Sequence, residues 1–429
     1  MIHVDTEVLQ QQLLDARART LSLTLDLTGS QLLGPRLKIV NPPLWEIGHL
    51  AWFQERWCLR HREGEPELLP SVRHDADGLY DSSSVPHDRR WHLPLPGLER
   101  TLEYLHEVLQ RVLDKLAAKP AGAWSYFAQL AALHEEMHCE AFTYTRQTLG
   151  YSAPCGSGAS SLRDKHSVPQ GDADIAGGIF MLGARPDDGF VFDNEKWAHQ
   201  VTVAPFSIAR ACVTNAEFVS FVEDAGYSRP ELWSGDGWAW CASANASHPA
   251  YWRKAGNAWC ARVYDRWLPI VADAAVIHVN WYEADAYCRW ARRRLPSEAE
   301  WEFAAASEPA DLSRKRRYPW GNQEPDAQRA NLYGSSDHAV DVAGYAQGES
   351  AWGCRQMIGN VWEWTADAFE PYPGFVVDAY KEYSQPWFGD HKVLRGGCFA
   401  TRADLIRNTW RNFYTPDRRD VFAGFRTCA

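Results

Sequence analysis

The sequence predicts an α+β protein in two parts, a four-helix bundle followed by an irregular, turn-rich domain. Three observations predict it. Apolar side chains recur at helical intervals through residues 1–150. Beyond residue 176 the pattern breaks into short elements rich in Gly, Trp, Tyr and Asn. A chain of 429 residues is also long for a single domain. Leu9, Leu13, Ala16 and Leu23 mark a first helix. A second is expected from Pro42-Pro43, since proline suits a first helical turn, through Trp45, His49, Trp52, Phe53 and Trp57. Leu98, Leu102, Leu105, Val108, Leu109, Leu113 and Leu116 mark a third, reached by a long connection over about residues 60–94. The fourth covers Trp124 to Leu149 and stops at Gly150. The Ser-, Gly- and Pro-containing stretch 151–176 reads as a linker, and 177–429 as the second domain. There a strand is expected at 177–183, with amphipathic helices at Asn215–Ala225 and Trp281–Arg293.

Composition narrows the functional classes. With 45% hydrophobic and 23% charged residues the chain can bury a large core, and its 21 tryptophans suit loop-rich packing. A net charge of −11 argues against a nucleic-acid surface, so Arg314-Lys315-Arg316-Arg317 is read as a solvated loop. Ten cysteines lie scattered without a CxxC pair, which fits buried thiols in a reducing compartment. No signal-like start or membrane-length apolar run is visible, so a cytoplasmic protein with no membrane partner is expected.

The sharpest local signal is His134-Glu135-Glu136-Met137-His138. Residues four apart share one face of a helix, about 6 Å apart along its axis, so the two imidazoles can share a metal ion. The same letters spell the zinc-peptidase pattern, in which the first glutamate is the general base. Against that reading, Ala141 and Tyr144 stand where a long-motif peptidase continues with Gly and His. His49 lies on an aromatic helix that would face the same bundle core, where facing helices commonly assemble metal sites. Three nitrogen ligands on one octahedral face leave three positions open, which suits ferrous iron handling O₂ and substrates. Glu140 is a candidate to orient a ligand from behind. Spacing alone leaves His49 open to being an ordinary core histidine.

The C-terminal half resembles the formylglycine-generating-enzyme fold, an irregular C-type-lectin-like architecture. The resemblance rests on Val213-Thr214-Asn215-Ala216-Glu217-Phe218, Val279-Asn280-Trp281-Tyr282-Glu283-Ala284 and Arg294-Leu295-Pro296-Ser297-Glu298-Ala299-Glu300-Trp301-Glu302. Pro319-Trp320-Gly321-Asn322, Gly359-Asn360-Val361-Trp362-Glu363-Trp364-Thr365, Arg395-Gly396-Gly397 and Gly424-Phe425-Arg426 follow in order. The copper-binding cysteine pair of that enzyme is missing, because Cys398 is the sole cysteine of the stretch 398–406. The N-terminal half is similar to DinB-type bundles at Pro42–His49 and along the His134/His138 helix. This domain pair resembles the ergothioneine sulfoxide synthases. It implies a non-haem Fe(II) oxygenase with O₂ as co-substrate, with His49, His134 and His138 as metal ligands. The substrate implied is hercynine, the trimethylated betaine of histidine, joined at its imidazole carbon to a sulfur or selenium donor.

The resemblance further implies a tyrosine that assists proton transfer, Tyr380 with Tyr383 as rival. It places Asn412 at the betaine end and Phe413 against the quaternary ammonium, with Tyr414, Arg418 and Met137 also lining the substrate. Arg89 and Arg90 stand where relatives hold a donor carboxylate. Phe413-Tyr414 replaces the Trp-Asp of γ-glutamylcysteine-using members, and Met137 replaces their Gln. That pattern resembles the selenoneine synthases, so a selenosugar donor is expected ahead of γ-glutamylcysteine or cysteine. A zinc peptidase and a non-catalytic lectin-like binding module are the readings from other classes.

Overall fold

The computed structural model describes residues 5–118, 122, 124–154 and 171–429. The chain divides into two compact units, 1–156 and 157–429. Most of the stretch read as a linker, 155–170, lies outside the described residues, as does Cys155.

The first unit is helical: α1 (Thr6–Thr24), α2 (Pro43–Glu55), α3 (Ala76–Tyr80), α4 (Leu98–Ala118) and α5 (Ser125–Leu149). Asp5 caps α1 by accepting from the Glu7 amide, and Pro43 opens α2 where a missing N–H costs nothing. Gly150 ends α5 in the left-handed conformation at φ 67°, which glycine adopts without strain. α1 packs on α5, while α2 packs on α4 and α5. Every residue of α2 is buried, which explains why it shows no polar face in the sequence. A π-helical turn, Arg56–Arg60, extends it. The long connection that sequence reading left without structure contains α3, and this short helix turns out to organise the site.

The second unit begins with β1 (Asp172–Ile175), inside the stretch read as linker, and β2 (Gly178–Leu182). Then come β3 (His199–Val203), β4 (Phe206–Ala209), α6 (Asn215–Glu223) and α7 (Gly235–Ser243). β5 (Trp252–Ala255), β6 (Ala258–Val263) and β7 (Arg266–Pro269) form an antiparallel meander. α8 (Trp281–Trp290) and α9 (Glu298–Ala306) follow, then β8 (Trp362–Ala368), β9 (Lys392–Arg395), β10 (Asn412–Tyr414) and β11 (Ala423–Gly424). These last four form a sheet ordered β10-β9-β8-β11, with β10 on an edge. α6, α8 and α9 each start on a reciprocal cap, Thr214/Glu217, Asn280/Glu283 and Ser297/Glu300. α9, not expected from the sequence, opens on the Ser297/Glu300 pair three residues apart.

Regular structure is sparse, and buried ion pairs take its place. Glu363 accepts from Trp301 Nε1 at 2.8 Å and from both Arg426 Nε and Nη2 at 2.6 Å, all fully buried. Glu298 receives Arg395 and Arg411, each at 2.7 Å. Gly396, at φ +98°, carries no Cβ because one would stand 2.4 Å from the Met357 carbonyl. The run 314–317 departs from a fully solvated loop. The Lys315 side chain is drawn inward, because Glu302 and the Gly183 carbonyl hold its ammonium at 2.5 Å. The nine described cysteines are free thiols, eight of them buried. Among the described residues no helix is long and apolar enough to cross a membrane.

Candidate metal centre

α5 presents His134 and His138 on one face, and α2 brings His49 opposite them. One ligand nitrogen from each lies within 4.8 Å of the others. Nitrogens on one octahedral face, at bonds of about 2.1 Å, stand about 3 Å apart, so closure around an ion needs only side-chain movement. His49 and His134 are buried, whereas the His138 side chain is 19% exposed and marks the side open to solvent. Burial pushes both His49 and His134 well below the usual imidazole range, and the neighbouring rings add to the effect. Both are therefore neutral at physiological pH, the state that donates a lone pair to a metal.

Hydrogen bonds decide which nitrogens point inward. His49 Nδ1–H donates to the Tyr80 carbonyl at 2.9 Å, and His138 Nδ1–H donates to Glu46 Oε1 at 2.6 Å. In both rings Nε2 keeps its lone pair for an ion. Such outer partners orient ligands and raise their basicity. Glu46, on α2 one turn before His49, thus orients His138 from behind. Sequence spacing could have found it, since i and i+3 share a helix face, but the helix partner across the bundle was not visible.

α3 grips one face of α2. Trp45 Nε1 donates to the Leu79 carbonyl at 2.7 Å, and Trp52 Nε1 to Asp77 Oδ1 at 2.7 Å. Asp77 also takes both Nη atoms of Arg60, at 2.7 and 2.8 Å. Gly48 makes this approach possible, because a Cβ there would stand 2.2 Å from the Tyr80 ring. Aromatic walls complete the site: Phe53 stacks on His134 at 3.5 Å and 6°, and Trp45 on His49 at 5.0 Å and 10°.

The glutamates between the α5 histidines face away from the centre. Glu135 is buried and holds Arg17 at 2.8 Å and Thr20 Oγ1 at 2.8 Å, while Glu136 holds Arg19 at 2.6 Å. Neither is available to activate a water, which removes the main support for a zinc peptidase.

Arg90 lies with its guanidinium carbon 3.9 Å from the Trp45 ring centre, whereas Arg89 is exposed. Burial lowers Arg90 to about 10, so it remains cationic at neutral pH. Met137 is half-buried beside His138.

The other expected residues belong to the second unit. Tyr383 stacks on Phe192 at 4.3 Å and meets Phe413 edge-on at 5.9 Å, and its hydroxyl accepts from Trp410 Nε1 at 3.5 Å. Burial raises its phenol above the usual range. Tyr380 is half-buried, with its ring centre 6.1 Å from that of Tyr383. Asn412, Phe413 and Tyr414 form the edge strand β10, and Phe413 stacks on Phe369 at 4.1 Å. Arg418 holds Asp420 through two bonds of 2.6 and 2.7 Å and lies 4.9 Å from the Tyr414 ring centre.

Comparison with known proteins agrees with this two-part construction. Residues 12–141 match the DinB superfamily, and residues 161–429 match the sulfatase-modifying factor enzyme 1-like domain. The hercynine oxygenase of Mycolicibacterium thermoresistibile is 38% identical, covering 97% of this chain and 94% of that protein. The chain belongs to the hercynine oxygenase family. A second hercynine oxygenase, from Mycobacterium tuberculosis, is 39% identical over 98% of both chains. The formylglycine-generating enzyme of Streptomyces coelicolor is 31% identical but covers only 61% of this chain. Hercynine oxygenases thus match both units, and the chain is an enzyme of oxygenase type with a mixed α+β fold.

Proposed function

We propose that this enzyme couples a selenium or sulfur donor to the imidazole carbon of hercynine, using Fe(II) and O₂. The observation that carries the reading is the convergence of three imidazoles from α2 and α5, in a chain similar to hercynine oxygenases along nearly its whole length. His49, His134 and His138 would hold the iron, a neutral nitrogen set that leaves coordination positions open. Bound there, ferrous iron supplies O₂ reduction and a meeting point for the two substrates. For a selenol donor, formation of the C–Se bond with loss of two hydrogens and oxidation to the selenoxide together use the four electrons that O₂ accepts.

The chain's own residues do the rest. The Tyr80 carbonyl and Glu46 hold the outer N–H of His49 and His138, so both Nε2 atoms stay directed inward. Trp45 and Phe53 wall the ligands off from water. Tyr383 is the favoured proton donor over Tyr380. Its oxygen accepts from Trp410, which leaves its own proton to give, and burial keeps it protonated at neutral pH. Asn412 and Phe413 are assigned to hercynine, with the aromatic ring suited to a quaternary ammonium.

The donor reading favours a neutral selenosugar. Tyr414 offers a hydroxyl where γ-glutamylcysteine-using relatives offer a carboxylate, and Asp420 neutralises Arg418 beside it. Charged groups of an amino-acid donor would find no free counter-charge in this pair. Incubation of anaerobically purified protein with Fe(II), hercynine, O₂ and each donor, read by product mass, tests this. A selenium-containing adduct is expected; coupling with γ-glutamylcysteine and none with a selenosugar would reverse the donor assignment.

A further inference from the structure

We propose that Arg90 is a positioning residue of the metal centre, clamping Trp45 against the ligand His49, and not a binder of the donor. The inference rests on the three-imidazole reading above and deepens it. Nη1 of Arg90 donates to Asn41 Oδ1 at 2.7 Å, and Nη2 reaches the Ser82 and Val85 carbonyls at 3.4 and 3.3 Å. One end of the fork is thus tied to Asn41, two residues before α2, the other to the loop just after α3. Between these ties its guanidinium carbon rests 3.9 Å from the centre of the Trp45 ring, a cation–π contact made largely out of water.

Trp45 has little freedom left. Its indole N–H is held by Leu79, and its ring lies nearly parallel to His49. The next carbonyl along α3, that of Tyr80, holds His49 itself. Arg90 therefore closes a loop of contacts, from Asn41 through Trp45, His49 and α3 back to residues 82–85. Both terminal nitrogens are used within the protein. A donor carboxylate taken end-on across the two terminal nitrogens would have to displace these ties, and the remaining donor, Nε, is buried. Arg89, which is exposed, remains the arginine of the pair that an anionic group could reach without disturbing the centre.

The test uses the full-length apo-protein and Co(II) alone, whose visible absorption reports both affinity and geometry. Arg90→Met keeps the stem and removes the charge and the fork. Co(II) affinity is expected to fall about tenfold, with a changed spectrum, and Arg90→Lys to restore part of the loss. Trp45→Phe should weaken Co(II) binding too, and the double variant should lose less than the sum of the two. If Arg90→Met does not fold, Asn41→Ala, which cuts one tie, is expected to shift the affinity in the same direction. Wild-type Co(II) affinity in Arg90→Met, or in Asn41→Ala if that variant must serve, overturns the proposal. His49→Ala is run in parallel. Should it bind Co(II) like wild type, the three-imidazole reading fails first; should it lose the ion while Arg90→Met does not, only this inference fails.

Discussion

Both units bury many charged side chains, and they use them differently. In the helical unit two matched pairs, Arg17–Glu135 and Arg19–Glu136, stand beside a cluster of three imidazoles whose ligand nitrogens face one another. In the second unit Glu363–Arg426, Glu298–Arg411 and Glu195–Arg407 are matched acid to base within the interior, and they tie together segments that share little secondary structure. A matched buried pair resists disruption because removing one partner strands the other. An imidazole cluster is instead a deficit that a cation can fill. Buried polarity thus marks framework in the second unit, and both framework and a candidate binding site in the helical one.

The strongest way to break that comparison is to remove a ligand. His138→Ala is expected to abolish stoichiometric metal binding, measured by metal analysis after anaerobic loading, and to reduce turnover at least a thousandfold, on the order of 4 kcal/mol in the barrier. Next comes the framework: Glu363→Gln should destabilise the protein by about 3–5 kcal/mol, read in denaturant unfolding, because Arg426 is left buried without its counter-charge. Gly48→Ala forces a methyl group into the Tyr80 ring and should cost about 1–3 kcal/mol together with a measurable loss of metal affinity. A framework role for Gly48 alone would leave metal affinity untouched. Glu135→Gln should retain metal and oxygenase activity while lowering the unfolding midpoint, whereas a peptidase base would give a dead protein with intact metal.

The smallest effect is in pH. His49 and His134 have folded values depressed below the unfolded value of about 6.5. Below that pH the unfolded chain binds more protons than the folded one, so their contribution is complete above about pH 6.5 and declines as pH falls toward the folded values. The limiting slope is about 1.4 kcal/mol per pH unit for each histidine. Unfolding of the apo-protein across pH 5 to 8 checks the sign; stability from these groups that increased on acidification would contradict their burial as neutral rings.

Much of this is legible in the sequence alone. Helical spacing located α1, α4 and α5, the proline pair located the start of α2, and His134/His138 announced themselves by their four-residue interval. The family motifs announced the second unit's fold, while its meander and α7 went unread because their patterns are too short to stand out. Glu46 and α3 were missed for a different reason. Asp77, Leu79 and Tyr80 act through two backbone carbonyls and one carboxylate, and backbone acceptors leave no signature in residue identity.

Local sequence thus determined which segments are helical, which histidines share a face and which family the chain resembles. Those properties follow from periodicity and residue type within a few turns of chain. Only the tertiary structure decided that His49 faces the α5 pair, that Glu46 orients His138, and that Glu135 serves Arg17. Each of these depends on packing between helices distant in sequence, where burial sets which polar group must find which partner.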